Sequence, residues 1–323
     1  LLGQTLRDIE VICVDDGSTD GTGDLLSALA EEDDRIVVVS KANGGAGSAR
    51  NAGLDVARGE YLSILDIDDF FEPNMLECAL NAARTDDLDV LVFRSDELYP
   101  ATGECRSIPW TIHEDLLPER RPFAGTDVPR DIFKLFVGWS WDKLIRASFV
   151  REHGLRFQEI RTTNDMLFVF SAVVRAERIG ISEDGLVHHR KDVGSLSVTR
   201  EKSWGCFYEA LCALGGQLRA WDLYERFEQD YLNYCVHAAL WNVRTLAEPT
   251  RTLLTQRLAD EWFDALGVPA HDEAYYYNKG EYEEFLRIYD PGRYRRRSWK
   301  AAPRRALRRA KQLLKSSAAK GGR

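Results

Sequence analysis

Ile9-Glu10-Val11-Ile12-Cys13-Val14 runs straight into Asp15-Asp16-Gly17-Ser18-Thr19-Asp20-Gly21. The first six residues are a nearly continuous apolar run of strand length, as expected of a strand covered on both faces. The next seven are turn and cap residues. Downstream, Leu25, Leu26 and Leu29 recur at helical spacing, 36–40 reads as a second strand, and 52–57 as a helix. Tyr61-Leu62-Ser63-Ile64-Leu65 reads as a third strand ending on Asp66-Ile67-Asp68-Asp69, followed by a helix over 75–83 and a strand over 89–93. Strands alternating with helices predict a parallel, doubly wound α/β sheet. Ligands of such sheets bind beyond the carboxyl ends of the strands, and two of these four strands end in acidic clusters.

The rest of the chain sets the limits. With 323 residues and 44% hydrophobic content the sequence is that of a globular protein, which excludes wholesale disorder. No run approaches eighteen apolar residues, so no transmembrane helix is expected, and residues 1–10 do not read as a signal peptide. Cysteines 13, 78, 105, 206, 212 and 235 lie far apart with no C-x-x-C pair, which predicts reduced cytosolic thiols rather than a disulfide framework or zinc site. Thirteen of the 43 Lys and Arg lie between Arg293 and Arg323 with no acidic residue among them. The remainder carries 30 basic against 52 acidic residues, about −22. Residues 100–200 are irregular and rich in Trp, Pro and Arg, and 204–282 turn helical. The expected domains are 1–200 (halves 1–98 and 99–200), a helical subdomain over 201–290, and a basic tail over 291–323.

Three constellations carry chemistry. Asp66-x-Asp68-Asp69 at a strand end offers hard oxygen ligands for Mg²⁺ or Mn²⁺, which can grip substrate phosphates; the alternative is a solvated turn before Pro73. Asp15-Asp16-Gly17-Ser18 offers carboxylates to a ribose hydroxyl or a base N–H, or else caps a helix. Gly45-x-Gly47-x-x-Arg50 places Arg at the third glycine of a dinucleotide fingerprint and lacks the Gly-Lys ending of a P-loop. A loop presenting Arg50 to a nucleotide is therefore preferred to a dehydrogenase.

Together these blocks resemble family 2 glycosyltransferases: Asp15-Asp16-Gly17-Ser18-Thr19-Asp20, Asn43-x-Gly45-x-x-x-Ala49-Arg50-Asn51-x-Gly53, and Gly59-Glu60-Tyr61 leading to Asp66-x-Asp68-Asp69. Trp141-x-Lys143-Leu144, Asn164-Asp165 and the stretch from His188-His189-Arg190 to Gly194-Ser195-x-Ser197 are similar to the bacterial polysaccharide and cell-wall branch. The resemblance implies a GT-A fold, a doubly wound mixed sheet, and nucleotide-activated sugars as donors. It implies that Asp16 contacts the base with Asp15 and Arg50 nearby, and that Asp66 and Asp68 form the metal-and-diphosphate motif. It further implies that Asp165 is the catalytic base, with Asn164 where the family usually has Glu. His189 is a candidate third metal ligand or a strand-packing residue. Trp139 and Trp141 are candidates for stacking on a sugar, or else core; Trp141 and Lys143 are assigned to the acceptor side.

The family opens with a strand and helix ahead of this point, and Leu1-Leu2-Gly3-Gln4-Thr5 resembles the end of that helix. A sequence lacking one strand–helix unit is therefore expected. Trp299, Ala302, Ala306, Leu307, Ala310, Leu313 and Leu314 fall at helical spacing among basic residues, which predicts an amphipathic helix on an anionic membrane surface, worth roughly 1 kcal/mol per basic residue. Gln217-Leu218-Arg219-Ala220-Trp221 only approximates the Q-x-x-R-W motif of processive synthases, so single-sugar transfer is expected. The expectation is a metal-dependent (Mn²⁺ or Mg²⁺), inverting glycosyltransferase. It uses a UDP-sugar, acts on a glycan or lipid-linked acceptor at the inner face of the cell membrane, and has no specific nucleic-acid partner. The competing readings are a sugar-nucleotide nucleotidyltransferase, which releases pyrophosphate, and a basic-tailed nucleic-acid binder, which the acidic body opposes.

Overall fold

The computed structural model describes residues 1–191 and 201–297. The tail expected to lie on membranes is outside the described residues beyond Arg297, as is the Gly194–Ser197 stretch.

The alternation read from the sequence is realised. Strand β1 (Val11–Asp15) leads to α1 (Thr22–Glu32), β2 (Ile36–Ser40), α2 (Ala46–Val56), β3 (Tyr61–Ser63), β4 (Phe70–Phe71), α3 (Met75–Thr85), β5 (Val90–Tyr99) and β6 (Glu104–Ser107). Then follow α4 (Ile132–Leu135), β7 (Lys143–Arg146), α5 (Ala147–Glu152), α6 (Met166–Arg175), β8 (Ile179–Arg190), α7 (Cys206–Ala220) and α8 (Tyr224–Thr245). The sheet is mixed. β1 and β2 pair in parallel as a two-stranded sheet, while the larger sheet runs β3-β7-β5-β8-β4 with β6 on β5. Only β5 and β8 are parallel there; β3 with β7, β5 with β7 and β4 with β8 are antiparallel. The parallel sheet expected from alternation is thus corrected to the mixed sheet that the family resemblance implies: β6, β7 and β8 all come from the irregular 100–200 region, where no alternation is visible.

The core lies where α3 crosses this larger sheet. Met75, Ala79 and Ala83, spaced four apart on one helix face, pack with Leu91, Phe93, Leu144 and Val187. At roughly 25 cal/mol per Å² such burial is the main stabilising contribution. Two compact units divide the chain, Leu1–Tyr234 and Cys235–Arg323. The first runs past the boundary expected at residue 200, because α7 packs on α6 through a face containing Leu211, Leu214 and Leu218. The second contains α9 (Thr250–Arg257), α10 (Phe263–Ala265) and α11 (Lys279–Tyr289), with Phe263 edge-on to Phe285 and His237 Nδ1 2.8 Å from Glu281. No helix among the described residues is long and apolar enough to cross a membrane.

Candidate active site

The β1–β2 register builds the first part of the site. Asp15 stands opposite Ser40, so the residues after the two strands, Asp16 and Lys41, emerge side by side. Lys41 Nζ donates to Asp16 Oδ1 at 2.7 Å, and the amides of Gly44 and Gly45 donate to the same carboxylate at 3.0 and 2.7 Å. Burial works against the Asp16 charge, but Lys41 and these amides outweigh it and hold the carboxyl below its usual range. Asp15 accepts the Ser18 amide at 2.9 Å, and the Ser18 hydroxyl and amide lower its pKa. Gly45 has φ +83° and ψ 173°, a conformation almost confined to glycine, which turns the chain into α2. The glycine-loop amides that would greet a phosphate are therefore engaged by Asp16.

The second part is assembled by Arg50 on α2. Its guanidinium forks between Asn164 Oδ1 at 2.6 Å and Asp66 Oδ1 at 2.7 Å, with its carbon 5.3 Å from the centre of the Phe157 ring. Three segments far apart in sequence are joined at one side chain. Close approach of α2 to the 157–164 loop requires Gly47, where a Cβ would stand 2.1 Å from the Gln158 carbonyl oxygen. Asn51 extends the junction: Nδ2 donates to the Phe157 carbonyl and Oδ1 accepts the Phe157 amide, both at 2.9 Å.

Asp165 follows Asn164 and stands at the residue before α6, where its side chain makes no capping hydrogen bond. Thr163, two residues earlier, is a β-branched residue at φ +63°, a strained conformation of the kind concentrated at functional sites. Burial pushes the Asp165 carboxyl up to about 6, against the lowering fields of Arg50 and Lys143 and with a raising contribution from Asp66. A half-buried carboxyl titrating near there suits a general base at neutral pH.

The acidic strand end is split between roles. Asp66 faces Arg50; Asp68 is exposed; Asp69 is buried. Asp69 Oδ1 receives the Arg190 amide and pairs with His189 Nδ1, both at 2.9 Å, while its Oδ2 is buried with no hydrogen-bond partner. Among the described residues no three His, Cys, Asp or Glu are gathered as a ready metal cluster, so Asp66, Asp68 and His189 do not converge.

Trp141 and Lys143, expected on the acceptor side, are core residues. Trp141 is 3% exposed, its ring stacked against both Trp139 (4.8 Å, 22°) and His189 (5.1 Å, 13°), whose own ring centres lie 5.9 Å apart. Lys143 is wholly buried; its Nζ donates to the carbonyls of Val137 (3.1 Å) and Trp139 (2.7 Å) and to Asp142 Oδ1 (2.5 Å). Asp142 is pushed up by burial. An ammonium without water needs several acceptors at once, and the 137–139 turn supplies them. Gln217 to Trp221 lie at the end of α7, where Arg219 covers the Tyr224 ring at 3.7 Å. Lys41, Asn51 and Asp69 were not singled out from sequence for these roles. Lys41 carries a signal in hindsight, a lone cation at the end of β2 beside an acidic strand end.

A two-stranded parallel front joined to a mixed sheet, with acidic residues at the strand ends, is the GT-A architecture. TarS (residues 1–349) from S. aureus in complex with UDP superimposes on it with a TM-score of 0.66 at 19% identity, covering 88% of this chain and 80% of that one. The glycosyl transferase family 2 model matches residues 1–153. The glycosyltransferase GlyG of Streptococcus pneumoniae serotype 4 is 43% identical over 214 residues, 63% of this chain and 68% of that protein. The chain belongs to glycosyl transferase family 2. EpsH of Bacillus subtilis strain 168 is 31% identical over 200 residues, 61% of this chain. The chain spans about half the length of that relative, 56%.

Proposed function

We propose that the chain is a metal-dependent, inverting glycosyltransferase that moves one sugar from a nucleotide-sugar, a UDP-sugar in this reading, to a hydroxyl of a glycan or lipid-linked acceptor in surface polysaccharide synthesis. The observation that carries it is the Arg50 fork, which brings Asn164-Asp165 to the acidic strand end at Asp66. The acceptor oxygen attacks the anomeric carbon from the side opposite the diphosphate. The new C–O bond forms as the bond to phosphate breaks, and the hydroxyl proton passes to Asp165. Asp165 is free for this because Arg50 engages its neighbour Asn164 and the strand-end Asp66. Asp16, clamped by Lys41, Gly44 and Gly45, fixes the loop on the nucleotide side.

The residue types suit a hard divalent cation, although Asp66, Asp68 and His189 do not converge here: Asp66 and Asp68 would supply carboxylate oxygens, and the His189 Nδ1 bond to Asp69 would leave Nε2 as a ligand nitrogen. When bound, the ion neutralises charge on the departing diphosphate. Support for uridine comes from the UDP held by the TarS fold neighbour. The basic 293–323 segment supports a cytoplasmic enzyme resting on the anionic inner membrane face.

The test is thermal shift and turnover with UDP-glucose, UDP-N-acetylglucosamine, UDP-galactose and GDP-mannose, each with Mn²⁺, Mg²⁺ or EDTA. Metal-linked stabilisation by one nucleotide-sugar, lost in Asp68→Ala, is expected. Failure of every nucleotide-sugar to stabilise or turn over sinks the reading.

A further inference from the structure

Trp110 keeps 50% of its surface exposed, although its chain neighbours Ile108, Thr111 and Ile112 are 3%, 2% and 2% exposed. It sits on the short 3-10 turn Pro109–Thr111, whose Thr111 amide and hydroxyl both donate to the Ile108 carbonyl, at 3.1 and 3.0 Å. Ile112 is bridged to Phe136. An indole is thus held out toward water on a rigid pedestal. Its ring meets Trp139 with centroids 5.4 Å apart and planes at 72°, so the two form an open right-angled corner.

Trp139 is fixed from three sides. Its carbonyl is held by the buried Lys143 ammonium, its ring lies flat on Trp141, and the adjacent Gly138 packs against α6. A Cβ on Gly138 would stand 3.8 Å from the Cα of Met166, the residue after Asp165. Trp139 and Trp141 both neighbour the His189 ring, at 5.9 and 5.1 Å, and His189 is bonded to Asp69 of the acidic strand end. The corner therefore lies between the segment carrying the proposed base and the segment carrying the acidic motif, where an acceptor has to sit. Polar groups accompany it on the same sheet face: Glu97 is in register with His189 on the neighbouring strand and bonds Lys191 at 2.9 Å and the Tyr99 hydroxyl at 2.8 Å.

We propose that Trp110 and Trp139 form an acceptor subsite that takes one pyranoside ring by its apolar C–H face. This rests on the transferase reading above. Two flat rings at 72° offer dispersion contact to the face and the edge of a saturated ring. Because both indoles are already held in place, little ordering entropy is lost on binding.

The experiment is saturation-transfer NMR on the full chain. The probes are methyl β-D-glucopyranoside, methyl N-acetyl-β-D-glucosaminide and methyl β-D-galactopyranoside, with glycerol 1-phosphate as the acyclic control. Samples contain UDP and Mn²⁺, and UDP binding is followed separately by thermal shift. At least one pyranoside receives saturation on the C–H protons of one face. Its half-saturating concentration rises about tenfold in Trp110→Ala, a change of about 1.4 kcal/mol, and much less in Trp110→Phe, while the UDP shift is unchanged. Equal pyranoside binding by Trp110→Ala and the parent overturns the subsite, as does binding of the acyclic control alone or of no probe at all. Loss of the UDP shift in the parent chain counts against the transferase reading instead, and pyranoside binding still decides the corner on its own.

Discussion

Two regions of the first compact unit are held together by different forces. In 11–56, α1 buries none of its residues, every residue of β1 is only half-buried, and Leu25 is 61% exposed. In 75–187, Val90, Leu91, Val92 and Phe93 are 0–1% exposed, and eight of the ten residues of α6 are buried. The first region is instead fastened by polar tethers: Arg50 to Asn164 and Asp66, and Asn51 to Phe157. A hydrogen bond contributes about 0.5–1.5 kcal/mol net, against about 1.5–3 kcal/mol for a buried large apolar side chain. The nucleotide side of the proposed site is accordingly of lower local stability, and the base and aromatic side stands on the rigid core.

The sharpest test of this division is Asp165→Asn, because activity and stability should move in opposite directions. On the proposed role of Asp165 as the base, turnover is expected to fall roughly 10³-fold. The folded carboxyl is raised from 3.8 to about 6, so the native state favours the protonated form. The stability this gives is complete below about pH 4 and lost as pH rises through about 6. The charge therefore costs stability at pH 8, and the neutral Asn should recover on the order of 1–2 kcal/mol there and almost nothing at pH 4. In the parent enzyme, kcat/KM should decline below about pH 6. Melting curves at the two pH values decide the matter; a variant less stable at pH 8 would place Asp165 among the structural residues.

Next in size is a pair of core and front substitutions measured together by urea unfolding. Lys143→Met leaves the wholly buried Asp142 without its ion-pair partner, which costs about 3–5 kcal/mol. Ile12→Ala in half-buried β1 should cost only about 1 kcal/mol, well short of the roughly 2–5 kcal/mol of a full core truncation. Equal losses at the two positions would break the contrast between the regions.

Much of this division is legible in the chain, and the unread parts share a cause. β2 begins and ends where its apolar run does, at Ile36 and Ser40. The third strand stops at Ser63, short of the expected Leu65, because its pairing with β7 ends at Ser63 opposite Leu144. β5 continues to Tyr99, beyond the expected residue 93, because β6 and β8 pair with its second half. Those partners are non-local and carry no signal inside 89–99. Asp66, Arg50 and Asp165 stand out as motif residues, yet nothing in their spacing says that one guanidinium joins them. A lysine ordinarily reads as surface; Lys143 is core only because the 137–139 turn brings two carbonyls to it. Trp141 illustrates the same limit, since whether an indole faces sugar or protein depends on the rings that fold against it.

The smallest expected effect probes the tethers themselves. Asn51→Asp keeps an acceptor for the Phe157 amide but removes the donor to the Phe157 carbonyl, and sets a carboxylate near Glu159, whose Oε1 lies 3.4 Å from the amide nitrogen it replaces. The lost hydrogen bonds to the Phe157 carbonyl and Glu159 and the added repulsion amount to about 1–2 kcal/mol. Because the core of 75–187 does not depend on this contact, global unfolding should shift little. The change should instead appear locally, as roughly tenfold faster exchange of the Phe157 amide and a few-fold rise in donor KM with kcat preserved. If the whole unit melts earlier by the full amount, the tether is part of the cooperative core, and the two regions are one. If exchange alone accelerates, residues 11–56 are a separate cooperative element, docked by polar contacts onto the rigid core of 75–187.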